Sequence, residues 1–463
     1  MALEKKDEII SHHEMIDLIR HSNYTDKNAI AKDLKVSWPT LKKEMDELIK
    51  NGLIVCDNDS PIKKYKPNPN FGYFLSIAVG ATETKVALID FDFQPVKFFS
   101  ICNEIEFNEV VSKLRKNVPQ KLISDNYLCF KTERTYIKIN EMCTKIIETF
   151  LGVFENSQKE LLSVSISLPG VFDKDTHVMI FCPNIPELVN MDVKTIVHKN
   201  LIDELNEKNI PFRIFHDTVA ATVYEKENLY RVYNKENIYK DCPNMAVIYM
   251  GSGLGAGLII QRSLVLGATG AVGEIGHINI NYKDLKVDPN DEFALDDQSH
   301  YKIKEIEDGI EKEKLEDNIN INEGTCSCGN KYCLERLIRI KVFNAKNIDD
   351  YLYKTSKEEL NNFVKNHPYR YEVLKYLIGC VLNITINYIN VDLIAFTGRI
   401  LNEIPQLKQE METLKTGYSL KTSARKCHIL TEPSPPDSVA IGAAIMSYYS
   451  LFCDFSKEET IRW

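Results

Sequence analysis

Residues 245–277 constrain this chain more than any other stretch. The apolar run Met245–Met250 reads as a strand that enters a turn with glycines at 251, 253, 255 and 257. Glycine lets backbone amides approach an anionic or polyhydroxylated ligand with no Cβ in the way. A second strand follows, and then the acid–histidine pair Glu274 and His277. Downstream, Cys326, Cys328 and Cys333 form the tight pattern Cys-x-Cys-x4-Cys. Zinc takes about four ligands in a tetrahedron and favours thiolate and imidazole. Cys326 and Cys328 can chelate from one turn, Gly329 suits the knuckle, and Cys333 returns from the next turn. The closed thiol set implies a structural Zn2+ rather than a catalytic one.

Composition narrows the class. The 463 residues, 44% hydrophobic and 27% charged, are those of a globular protein with more than one folding unit. No apolar run approaches the ~18 residues of a membrane span. The first residues, Met-Ala-Leu-Glu-Lys-Lys-Asp-Glu, lack the apolar core of a secretion signal. A cytoplasmic location is therefore expected, and the 12 cysteines read as metal ligands and buried thiols rather than disulfides. The net charge of −9 argues against indiscriminate nucleic-acid binding but leaves room for a local DNA-reading module.

Residues 1–70 read as a winged helix-turn-helix. Ile9, Ile16 and Ile19 lie near one face of a first helix, and Thr25 caps a short second one carrying Ile30, Ala31 and Leu34. Ser37 is a good N-cap, and Pro39 falls in the first turn, where its missing N–H costs nothing. Leu41, Met45, Leu48 and Ile49 then share a stripe, and Asn51-Gly52 ends the helix. Leu53-Ile54-Val55 starts a wing that returns between Pro61 and Lys66. In a major groove this third helix would present Trp38, Thr40, Lys42 and Lys43, with Lys63, Lys64 and Lys66 of the wing on phosphates. The module is neutral, with 12 Lys+Arg against 12 Asp+Glu, so contact depends on which face holds the lysines.

Pro67-Asn68-Pro69-Asn70 is a linker signal. Beyond it, Tyr73–Val79 and Lys85–Phe91 read as paired strands about the turn Gly80-Ala81-Thr82, with a third strand at Val96–Ile101. A helix near Asn140–Phe154 precedes the strand Leu162–Ser167 and its turn Leu168-Pro169-Gly170. Alternating strands and helices follow, as in an α/β fold. Gly442-Ala443-Ala444 permits close packing of the last helix. Residues 103–136 show no clear period and read as an insertion, as does the charge-dense stretch 281–323.

The glycine loop, Glu-x-x-His and cysteine cluster together resemble the ROK family of repressors, open reading frames and sugar kinases. The resemblance covers residues 71 to about 450. It implies an actin-like (ribonuclease H-like) fold of two lobes in residues 71–463, with the ligand in the cleft between them. It assigns His277 as the fourth zinc ligand. The link from His277 to the cysteines is longer than in most members, but loop closure costs only about 0.6 kcal/mol per doubling of length. Tyr332 replaces the glycine usual before the last cysteine.

By the same resemblance Glu274, His277 and Glu335 face a sugar ring, with Asn184 and Gly170 on the other side. Carboxylates suit the task because each accepts two hydroxyl protons. The segment His216-Asp217-Thr218-Val219-Ala220-Ala221 matches the kinase motif Asn-Asp-x-Asn-Ala-Ala at Asp217, Ala220 and Ala221. Asp217 would stand where kinases keep the base that deprotonates the sugar hydroxyl. His216 and Val219 depart from the motif, which points to an altered sugar preference.

The nucleotide site departs further. The kinase loop Asp-x-Gly-Gly-Thr-Lys becomes Ala78-Val79-Gly80-Ala81-Thr82-Glu83, so a metal carboxylate is lost and a lysine is replaced by an acid. Gly80 and Thr82 persist, and Gly251, Gly253 and Gly255 keep the second phosphate loop. Losing a metal carboxylate removes several kcal/mol of charge stabilisation. No catalytic residue is expected, Asp217 being a vestigial base. The expectation is a sugar-responsive repressor of carbohydrate-utilisation genes. It would bind operator DNA through residues 1–70, take a sugar or sugar-phosphate effector, and act as a homodimer or homotetramer away from membranes. The alternative is an ATP-dependent sugar kinase with an accessory amino-terminal domain.

Overall fold

The computed structural model describes residues 13–21, 30–31, 36–57, 64–97, 109, 112, 120–123, 127–132, 135–173, 175–233, 242–251, 253–280, 326–330, 332–343, 351–352, 355–431, 434–435 and 437–452. They fall into two compact units. The first comprises Met1–Asp241, Arg262–Gly270 and Pro435–Trp463; the second comprises Cys242–Gln261 and Ala271–Ser434.

The first unit begins with helix α1 (residues 13–21), whose Met15, Ile16 and Ile19 are buried. Ile9, Thr25 and Leu34 lie outside the described residues; Ile30 is helical and buried. Helix α2 (Trp38–Lys50) starts at the Ser37 cap, whose Oγ accepts from the Thr40 N–H at 3.4 Å. Leu41, Met45 and Leu48 are buried, but Ile49 is 40% exposed. At 100° per residue Ile49 sits about 80° from Leu41, at the edge of the apolar stripe. Gly52, at φ +73°, supplies the left-handed residue after the helix, while Asn51 stays right-handed. The wing is the antiparallel pair β1 (Ile54–Asp57) and β2 (Lys64–Pro67), with Tyr65 buried and Lys64 and Lys66 exposed.

A six-stranded sheet follows. Its strands are β3 (Tyr73–Val79), β4 (Glu83–Asp90), β5 (Gln120–Ile123), β6 (Tyr127–Lys131), β7 (Leu161–Leu168) and β10 (Phe212–His216), in the order β10-β7-β3-β4-β6-β5. β7 pairs in parallel with both β10 and β3, and the remaining pairs are antiparallel. Between β7 and β10 lies the small hairpin β8 (Val171–Phe172) and β9 (Met179–Phe181). Part of the span read as an insertion, 103–136, is thus sheet edge: β5 and β6 are too short to show a period. Of the third strand expected at Val96–Ile101, residues 98–101 lie outside the described residues; just before it, Pro95 bridges Ile89.

All seven residues of β3 are buried, as both faces of the sheet are covered. On one face Leu75, Ile77 and Val79 join Ile139, Ile146 and Phe150 of α3 (Tyr136–Glu155) in the core. The other face carries small hydroxyls. Ser76 and Ser165 donate to the Ala440 and Ala443 carbonyls of the closing helix, Ser438–Phe452. After helix α4 (Lys199–Glu207), β10 runs straight into α5 (Asp217–Tyr233). A Cβ at Gly442 would fall 1.9 Å from the Ala220 carbonyl oxygen, so only glycine lets the closing helix lie this near α5.

The second unit holds β11 (Met245–Met250) and β12 (Leu254–Ile260), an antiparallel pair; the short strand β13 (Ser263–Val265) that follows in sequence is counted with the first unit. β11 also pairs in parallel with β14 (Leu393–Thr397), which pairs in parallel with β15 (His428–Leu430). Residues Arg370–Ile389 are long and apolar enough to cross a membrane by length and composition alone. Leu374, Leu377, Ile378 and Leu382 within them are buried in the protein. The insertion read at 281–323 lies outside the described residues.

Candidate functional site

In the first unit, the residues singled out from sequence gather at the carboxyl ends of the parallel strands β7 and β10, where Leu168 pairs with His216. Ligands of open α/β sheets bind at such ends. Asp217 opens α5, and its Oδ1 accepts the Thr218 N–H at 2.7 Å. His216 Nδ1 lies 2.7 Å from Thr218 Oγ1 and 3.4 Å from Asp217 Oδ1. Burial outweighs the helix-terminal hydrogen bonds and pushes the Asp217 carboxyl up to about 7. A carboxyl poised near neutrality at a strand end has the character of a functional group.

Gly170 has φ +89°, and a Cβ there would meet the Phe181 carbonyl oxygen at 2.2 Å. The Pro169-Gly170 turn is therefore pressed onto β9. Cys182 donates its thiol hydrogen to the Pro169 carbonyl at 3.4 Å. Burial chiefly, with the nearby Asp217 charge in support, pushes that thiol up to about 12. Asn184 is half-buried in the turn closed by the Ile185 N–H to the Cys182 carbonyl. Gly170, Asn184, His216 and Asp217 thus belong to one neighbourhood, linked through Cys182, which sequence reasoning passed over.

The first glycine loop is a closed hairpin turn. The Gly80 N–H donates to the Glu83 carbonyl at 2.9 Å, and the Thr132 N–H donates to Thr82. Ala78 is buried and offers no carboxylate; Glu83 lies 3.8 Å from Lys85 Nζ.

In the second unit, the Glu274–His277 turn lies flat on the start of β12. A Cβ at Gly276 would sit 2.3 Å from the Leu254 carbonyl oxygen, and one at Gly273 would overlap that of Ala256. The segment after His277 pairs with the last cysteine: Asn279 bridges to Cys333, and the Leu334 N–H reaches Ile278. This short ladder brings the four expected ligands together. The donor atoms of His277, Cys326, Cys328 and Cys333 all lie within 4.8 Å of one another. His277 Nδ1 is 3.4 Å from Cys326 Sγ, and Cys328 Sγ is 3.3 Å from Cys333 Sγ. One imidazole and three thiols in this spacing fit a tetrahedral zinc. For the Cys328 thiol, burial is outweighed by the Asn330 N–H and neighbouring thiols, which bring it down to about 7; burial drives Cys333 upward. The other histidine nitrogen, Nε2, lies 3.6 Å from Glu274 Oε2, so the ring joins the thiols to the carboxylate.

Glu335 is the third residue expected to face a sugar. Its Oε2 accepts the Leu254 N–H at 3.0 Å, inside the second glycine loop. A Cβ at Gly253 would lie 2.8 Å from that same oxygen, so the glycine makes room for a carboxylate. The Gly251 N–H is satisfied by the Gly253 carbonyl. No local pattern announces this pairing, since 81 residues separate its partners.

On α2, Trp38 is 43% exposed, and Thr40, Lys42 and Lys43 are exposed. Lys64 is exposed on the wing, and Lys63 lies outside the described residues.

Comparison with known proteins places this geometry. The chain is 23% identical over 264 residues to a xylose repressor of Caldicellulosiruptor bescii, covering 56% of this chain and 55% of that protein. It is 23% identical over 306 residues to the N-acetylglucosamine repressor of Shigella flexneri, covering 62% and 61%. The chain thus spans little more than half the length of the curated relatives it matches. A crystal structure of a ROK family transcriptional regulator, described as a homologue of the Escherichia coli MLC protein, superposes with a TM-score of 0.60 at 17% identity. That match covers 96% of this chain and 97% of the other, which makes the fold the actin-like α/β fold of these proteins. Residues 118–448, well over half of the chain, match the ROK family profile, and this protein belongs to the ROK family.

Proposed function

We propose that this protein is a sugar-responsive transcriptional regulator that represses carbohydrate-utilisation genes. One observation carries the reading. A capped, outward-facing α2 with its wing precedes a ROK body that carries Ala78 and Glu83 where the resemblance to the family's kinases places a metal carboxylate and a lysine. Residues 1–70 would read operator DNA through Trp38, Thr40, Lys42, Lys43, Lys63 and Lys64, and residues 71–463 would sense the effector. The sugar or sugar-phosphate ligands would be Gly170, Asn184, His216 and Asp217 in the first unit and Glu274, His277 and Glu335 in the second. His277, Cys326, Cys328 and Cys333 would hold a structural Zn2+, which when bound would supply a rigid knuckle and no catalysis. The regulator would work in the cytoplasm as a homodimer or homotetramer on a palindromic site. A coupling of ~1–3 kcal/mol between sugar and DNA is enough for a switch.

The test is selection of duplexes from a random pool by the full chain, then a gel shift with and without sugars. D-xylose and N-acetylglucosamine, the sugars named in its relatives, head the panel. A retarded band whose intensity changes with one sugar supports the reading. No retarded band at low salt, where phosphate contacts are strongest, would sink it. The Asp217 carboxyl near neutrality favours a second reading, a retained sugar kinase. ADP release from ATP with any hexose or pentose would establish that alternative.

A further inference from the structure

Helix α1 is fastened to the first unit's sheet and helices by side chains that are charged yet buried. The Arg20 side chain is 1% exposed. It pairs with Asp17, donates from Nη2 to the Phe91 carbonyl at 3.0 Å, and lies 3.7 Å from the Phe93 ring centroid and 4.5 Å from that of Tyr448. Next to it, His21 Nε2 meets Glu227 Oε2 at 2.6 Å, and the Tyr449 hydroxyl donates to Glu227 Oε1 at 2.6 Å. His13 stacks edge-on against Tyr448 and Tyr449. Lone buried charges are costly, so these charges are held where they find partners, although the buried Arg20 Nε itself has none among the described residues.

Glu227 stands on α5, the helix that opens at Asp217. Ten residue steps of helix separate them, about 15 Å along the axis. The helix cannot flex freely over that span, because Gly442 seats the closing helix against Ala220, and the closing helix carries Tyr448 and Tyr449. One braced rod therefore opens at the carboxyl end of the sheet's parallel strands and, about three turns later, touches the first helix of the amino-terminal module.

We propose that α5 is the route by which effector binding at His216–Asp217 reaches the DNA-reading module, and that the His21–Glu227 contact is where the signal is handed to α1. Glu227, His21 and Arg20 are positioning residues that touch neither sugar nor DNA. The inference rests on the regulator reading for its effector, but the contact itself is testable without one.

The experiment uses the full chain and two variants, Glu227→Gln and His21→Gln, with their double mutant. Glu227→Gln keeps the shape and the acceptor for Tyr449 and removes the charge facing His21. Amide exchange in residues 13–21 should quicken at least tenfold in each single variant and no further in the double, while protection in 217–226 stays as in the parent. Equal protection of residues 13–21 in parent and variants would overturn the contact. With the selected duplex and D-xylose or N-acetylglucosamine, each variant should show the parent's sugar-induced thermal shift but a lost or much reduced sugar effect on DNA affinity. A variant that keeps the parent's full sugar effect overturns the route. A parent that ignores both sugars and DNA while exchange behaves as expected tells against the regulator reading, and against α5 as its route, with the contact standing.

Discussion

The two glycine loops, Gly80–Glu83 and Gly251–Gly257, differ in what fills them. The first, Gly80–Glu83, is closed by its own backbone, with the Gly80 N–H on the Glu83 carbonyl and the Glu83 carboxylate toward Lys85. The second, Gly251–Gly257, is intact by sequence, yet its Leu254 N–H is taken by the Glu335 carboxylate. Glycines in a loop report clearance for something to approach the backbone. They do not report that the visitor is a phosphate. Here the visitor is a side chain of the same unit, carried two residues after Cys333 of the candidate metal cluster.

That difference is broken most severely at the knuckle, because of the two loops only the second is contacted by Glu335 two residues beyond it. Purified protein should contain one zinc per chain by elemental analysis. Cys333→Ser or a strong chelator should remove it and destabilise the second unit by on the order of 5 kcal/mol, less than the full zinc affinity of small zinc-folded peptides. Amide exchange at 253–257 should quicken while that at 80–83 holds. Equal protection of both loops after zinc loss would remove the asymmetry altogether.

A smaller effect sharpens it. Glu335→Ala should cost about 2 kcal/mol in chemical denaturation, since it strands the Leu254 N–H. Glu335→Gln, which keeps an oxygen acceptor, should cost less than ~1 kcal/mol. Glu83→Ala, breaking a partly exposed pair with Lys85, should move stability by no more than ~0.5 kcal/mol. If Glu83→Ala proves the costlier, the first loop is the one that depends on a carboxylate.

What the sequence disclosed follows the range of each interaction. The Ser37 cap, Pro39 and the Leu41–Met45–Leu48 stripe are local, and each is found where the spacing put it. The His/Cys cluster was legible as a candidate metal site because three of its members lie within eight residues and the fourth belongs to a family motif. Tyr73–Val79 was legible as a continuous apolar run. The failures are matters of distance or of brevity. Nothing near Glu335 points to Leu254, and nothing near His21 points to Glu227, 206 residues on. β5 and β6 are four and five residues long, too short for alternation to stand out inside 103–136. Ile49 shows a limit of another kind: a stripe has an edge, and periodicity does not say on which side of it a residue ends.

The last test asks whether the first unit, with Ala at position 78, bears the cost of a functional carboxylate at Asp217. Burial raises the Asp217 carboxyl from its model-compound range near 3.8 to about 7. The native state therefore holds a proton that the unfolded chain has already released. As pH rises from about 4 to 7 this group makes the native state progressively less stable, and above 7 the cost is complete. Asp217→Asn carries no such proton and removes that cost. Its thermal midpoint should exceed the parent's at pH 8 and approach the parent's at pH 4. Because the Asp217 side chain is 30% exposed, solvent screens part of the cost, and the gain at pH 8 should be on the order of 1 kcal/mol. Stabilisation of the same size at both pH values would mean that Asp217 titrates normally and is only the cap of α5. Stabilisation confined to high pH, with loss of the sugar-induced thermal shift, would mark a residue kept for its ligand at the expense of the fold.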